Sequence, residues 1–140
     1  MSDPNNTKEL IDILRQWQKI EDISIRATTE IIVNAKNPLI HLIMEIIRHD
    51  STIHYRVQSL LLNHLEGKKI SFDFASDSNY LHLLKEHDAH EKQTIVLAKQ
   101  ALENTDSIIV KFLLEYLLTD EKKHDVLMEN INKLIEDNKL

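Results

Sequence analysis

Cysteine is absent from the 140-residue chain, which excludes disulfides, thiolate metal ligands and thiol nucleophiles. Turn formers are almost absent too, with one glycine and two prolines. A chain so poor in them builds few, long elements, and its abundance of Leu, Ile, Glu and Lys makes those elements helices. No basic stripe stands out against a net charge of −6, which argues against a nucleic-acid partner. No apolar run approaches the ~20 residues of a membrane span. The N-terminus lacks a basic segment followed by an apolar one. The expectation is a soluble, cytoplasmic protein of one domain, with neither nucleic acid nor membrane as partner.

What the chain does have is apolar periodicity. Residues 1–7 are polar and read as a flexible N-terminus. From Lys8 to about Lys36, apolar residues recur at helical spacing. Asn37-Pro38 breaks the pattern and restarts it, because Asn caps a helix and Pro fits its first position. A connection that short makes an antiparallel hairpin over 8–66. Gly67 stands where a helix end takes its left-handed residue. Residues 67–78 lack a helical period. A second hairpin then spans 79–137, its helices meeting at Thr105-Asp106-Ser107. A connection of this length reaches about 40 Å, the length of a 27-residue helix at about 1.5 Å per residue. It can therefore run the length of a bundle as a crossover. The expected fold is all-α, an antiparallel four-helix bundle of two hairpins joined by a long crossover, a single domain over 8–137.

An internal repeat supports that reading. At an offset of seventy residues, Leu14 meets Leu84, Glu21 meets Glu91, Asp50 meets Asp120 and His54 meets His124. The recurrence of a Glu, an Asp and a His together goes beyond the apolar phase that any two helical hairpins share. Glu121 and His124, three apart on one helix, can converge on one point. Glu21 and His54 lie at similar distances on either side of the Asn37 turn, so an antiparallel pair sets them level, and Glu91 and His124 bracket the second turn in the same way. Carboxylates with imidazole suit Fe, Mn or Zn, and the negative charge offsets that of the cations.

A Glu from each of the first and third helices, with an acid-plus-His pair from each of the second and fourth, resembles the ferritin-like superfamily, nearest to rubrerythrin-like and other erythrin-type bundles. The resemblance covers about residues 8–137. Its specific motif is Glu121-x-x-His124 with Glu91 and Glu21. It implies a di-metal carboxylate site, with two iron ions first and Mn or Zn as alternatives, and redox or iron-handling chemistry on oxygen or peroxide. The implied ligands are Glu21, Asp50, His54, Glu91, Glu121 and His124. The second helix departs from the pattern. Ser51 stands where the family has Glu, so either Asp50 substitutes as a shorter ligand or the site holds one metal or none.

Without cysteine there is no rubredoxin-type iron centre, so electrons would come from an external donor. A homodimer is expected, because long amphipathic helices often carry a second apolar strip. His87, one turn before Glu91, reads as lining the site. Trp17, its repeat mate, reads as core. Glu30, Glu45 and Glu115 fall on the opposite side of their helices. Two other readings stand beside this one: a metal-free or single-metal bundle acting as a protein-interaction module, and a hemerythrin-like oxygen binder. The latter is suggested by Lys85-Glu86-His87-Asp88-Ala89-His90-Glu91 but lacks the family's later His pairs.

Overall fold

A computed structural model of the chain describes residues 3–137. The chain is all-α. Its four long helices are α1 (Pro4–Asn34), α2 (Pro38–Leu65), α3 (Leu81–Glu103) and α4 (Ile108–Asp137), with a 3-10 segment (Ala75–Tyr80) leading into α3. Two compact units divide between Ser71 and Phe72. Each holds one pair of helices, α1 with α2 and α3 with α4.

The turns follow from local chemistry. Asn37 Oδ1 accepts from the backbone N–H groups of Leu39 and Ile40 at 2.9 and 3.3 Å, closing the exposed end of α2 directly behind α1. Gly67 takes φ 81°, which other residues adopt only at a cost, and ends α2. Ser107 Oγ accepts from the Val110 N–H at 3.4 Å and starts α4. The expected flexible segment 1–7 lies partly outside the described residues; within them, Asp3 caps α1 through the Asn5 N–H, and the helix already runs from Pro4. Residues 75–80 also differ from expectation. Asp73 accepts from the Ala75 N–H and starts a 3-10 turn, so α3 begins at Leu81 rather than Asn79.

Pairs across the first unit show its direction. Arg15 meets Glu66 at 2.6 Å, Gln18 meets Ser59 at 2.8 Å, and Ser24 meets Ser51 at 3.0 Å. Partners descend α2 as α1 ascends, so the hairpin is antiparallel. The second unit repeats this, with Glu91 beside His124 and Thr94 beside Glu121.

The buried line of α1 is Leu14, Glu21 and Thr28, seven residues apart, and α2 contributes Ser51, Gln58 and Leu62. Seven-residue spacing keeps one stripe facing the partner helix. Within one hairpin two helices share a single seam, and the partner helix does not cover the side chains flanking it. Trp17, expected in the core, is 51% exposed for that reason, and Leu10, Ile13 and Ile20 are exposed with it. The seam itself is unusually polar. Leu14 and Leu62 are the buried apolar residues among those described, against Glu21, Thr28, Ser51, Gln58 and Glu91.

Candidate metal centre

In the second unit, α3 carries Glu91 into the seam and α4 brings Glu121 and His124 against it. One donor atom from each lies within 4.8 Å of the others. Glu91 is 5% exposed. Its Oε1 faces His124 Nδ1 at 3.4 Å and His87 Nε2 at 2.7 Å. Its Oε2 is buried with no hydrogen-bond partner. With both carboxyls ionised this buried oxygen has no donor, which is costly, and either a proton on the neighbouring Glu121 or a cation would satisfy it.

Glu121 stands beside it, its Oε2 accepting from the Thr94 hydroxyl at 3.0 Å. Thr94 is itself anchored by donating to the Glu91 carbonyl at 2.7 Å. The two carboxyls compete for one proton. Hydrogen bonding with Glu121 holds the Glu91 carboxyl below its ordinary pKa, aided by the charges of His124 and His87, against the opposing effect of burial. Glu121 is raised by the same hydrogen bond and by burial. The opposite directions of the two shifts favour Glu91 as the anion and Glu121 as the acid.

His124 is held at both nitrogens. Nε2 lies 3.3 Å from Asp120 Oδ2, while Nδ1 faces Glu91 and Glu121 at 3.4 and 3.8 Å. A carboxylate on one ring nitrogen fixes the tautomer and leaves the other nitrogen's lone pair for a ligand. This is the arrangement around metal-ligating histidines. The residues thus fit a cation: two carboxylates, one oriented imidazole, and one buried oxygen that accepts no hydrogen bond.

The first unit places its counterparts differently. Glu21, 7% exposed, meets His54 Nδ1 at 3.5 Å, and its Oε2 is likewise buried without a partner. Between them, Ser51 is buried and hydrogen-bonds Ser24 at 3.0 Å. Asp50 Oδ1 lies 3.8 Å from His49 Nδ1, on a side chain that is half-buried. Glu91, Glu121 and His124 therefore come together, Glu21 and His54 come together, and Asp50 is brought to neither group.

His87 contacts Glu91 as expected of a residue lining the site. Glu45 pairs with His41 at 3.2 Å, away from these groups. Sequence reasoning missed Thr94 and Ser24, whose hydroxyls bridge each hairpin at the same level. It also missed Asp120 as the orienting carboxylate, although its four-residue spacing to His124 was a readable signal. One turn away, Asp88 and Asp125 approach each other and Lys92 lies 3.3 Å from Asp88. That lysine already supplies the positive charge there. Desolvation and then hydrogen bonding with Asp88 raise Asp125.

No protein-family model, no curated protein and no solved structure matches the chain.

Proposed function

We propose that this is a ferritin-like metal-carboxylate protein whose centre is built by Glu91, Glu121 and His124, with iron as its ion and oxygen or peroxide as the species it acts on. The observation that carries the reading is the convergence of these three side chains around a buried Glu91 oxygen that has no partner. Hard oxygen donors with one imidazole favour Fe, Mn or Zn, and three protein ligands leave coordination positions open for a small molecule. Iron in that setting supplies one-electron chemistry. The chain's own contributions are charge and orientation. Glu91 and Glu121 balance the cation, Asp120 holds His124, Thr94 holds Glu121, and His87 holds Glu91. With no cysteine to bind an iron relay, electrons would come from a separate donor.

A di-metal site would require a full second donor set, and the first hairpin offers Glu21 and His54 with Ser51 at the third position. A homodimer belongs to the same proposal. Among the described residues no helix is long and apolar enough to cross a membrane.

The test is metal content after anaerobic Fe(II) loading, followed by oxygen and peroxide consumption. Bound iron that disappears in Glu121→Ala/His124→Ala supports the reading. Wild-type protein that takes up no iron, manganese or zinc above background overturns it. The polar seam and the open apolar residues beside it would then favour a metal-free helical interaction module.

A further inference from the structure

The seventy-residue offset between the halves of the sequence extends to the atoms. Glu21 lies 3.5 Å from His54, and Glu91 lies 3.4 Å from His124. Ser24 lies 3.0 Å from Ser51, and Thr94 lies 3.0 Å from Glu121. Four positions therefore carry the same pairings in both hairpins. Ser24 for Thr94 conserves the hydroxyl. Ser51 opposite Glu121 is the change of chemistry.

We infer that the two hairpins are functionally unequal, that each chain binds one metal ion, on α3 and α4, and that Ser51 is the residue that keeps α1 and α2 metal-free. This rests on the metal-centre reading above and assigns its stoichiometry.

Charge and reach separate the two hairpins. The second hairpin presents two carboxylates and an oriented imidazole, whereas the first presents one carboxylate and one imidazole. The Ser51 hydroxyl is neutral, short and already engaged with Ser24. His54 also lacks the second anchor that Asp120 gives His124, since Asp50 lies against His49. Two donors, one of them a loosely held imidazole, make a weak site for a divalent cation. What survives in α1 and α2 is the scaffold of a site. The Glu21 oxygen without a partner marks where one added carboxylate would complete it.

The experiment is a residue exchange in the full chain. Metal-stripped protein is titrated anaerobically with Co(II) and desalted. Bound cobalt per chain is measured by elemental analysis, and its visible absorption reports the ligand field. Wild type is expected to hold one ion. Glu121→Ser copies the first hairpin's arrangement into the second and is expected to hold none, with helicity unchanged by circular dichroism. Glu21→Gln is expected to leave the count at one. Ser24→Thr/Ser51→Glu supplies the missing carboxylate and the threonine that holds it, and is expected to raise the count to two. Two ions in wild type, falling when Glu21 is changed, would overturn the inference while leaving the metal reading standing. So would a folded Ser24→Thr/Ser51→Glu variant that still holds one. No cobalt in wild type would remove the metal reading itself. If the double variant does not fold, Glu21→Gln and Glu121→Ser decide the matter, because they must separate the two hairpins.

Discussion

At the scale of single residues, the proposed centre would trade stability for binding. Glu91 is favoured as the anion, so its contribution to folding is present above the ordinary value of 4.5 and is lost as pH falls through its lowered one. Glu121 is favoured as the acid, so its contribution is complete below 4.5 and is lost as pH rises through its raised one. The metal-free protein is therefore expected to be most stable under mildly acidic conditions and to weaken as Glu121 ionises beside Glu91. Glu121→Gln keeps a donor toward Glu91 and an acceptor for Thr94 at every pH. Urea unfolding of the metal-free variant at pH 8 should show a gain of about 1 kcal/mol over wild type. That gain should fade toward pH 5, while metal affinity is lost. A variant less stable than wild type at both pH values would mean that the carboxyls do not share a proton. The rivalry was not visible in the sequence. Spacing set Glu121 and His124 on one face, but which oxygen went unpaired depended on the approach of α3.

Single elements were the most legible part of the chain. Helix starts at Pro38 and Ile108 and the stop at Gly67 were each written by a local residue, Asn37, Ser107 and Gly67 itself. Gly67→Ala meets no neighbouring atom, so its cost is confined to the left-handed backbone, roughly 1 kcal/mol. Thermal melting should show a small downward shift and no change in metal content. Unchanged stability would mean that the end of α2 relaxes to another cap. The start of α3 was harder to read. Serine, aspartate and asparagine around Asp73–Asn79 bond to the backbone in competing ways, and a 3-10 turn won there. The core position of Trp17 was misjudged because helical periodicity marks an apolar face without saying how wide the seam against it will be.

At the scale of the whole molecule, the open apolar residues of α1, Leu10, Ile13, Trp17 and Ile20, recur at three- and four-residue spacing on one face. The proposed homodimer would cover such a face. Sedimentation equilibrium should then give twice the 16.4 kDa chain mass, and Trp17→Glu should return the monomer. A wild-type chain that sediments as a monomer at high micromolar concentration would remove the dimer from the proposal. The single tryptophan gives an independent reading, because burial on association would shift its emission to the blue.

The sequence by itself determined the helical class, the hairpin turns and the internal repeat, because helix propensity, caps and apolar period act over a few residues each. It also determined the pairing of Glu21 with His54 and of Glu91 with His124, since equal distances from a tight turn bring two positions level in any antiparallel pair. Tertiary structure alone decided that Asp50 turns to His49 while Asp120 turns to His124, and that the Ser51 hydroxyl is engaged by Ser24. Those outcomes depend on the distance between helices and on competition among neighbouring polar groups for the same few partners. Neither quantity is a property of spacing along the chain.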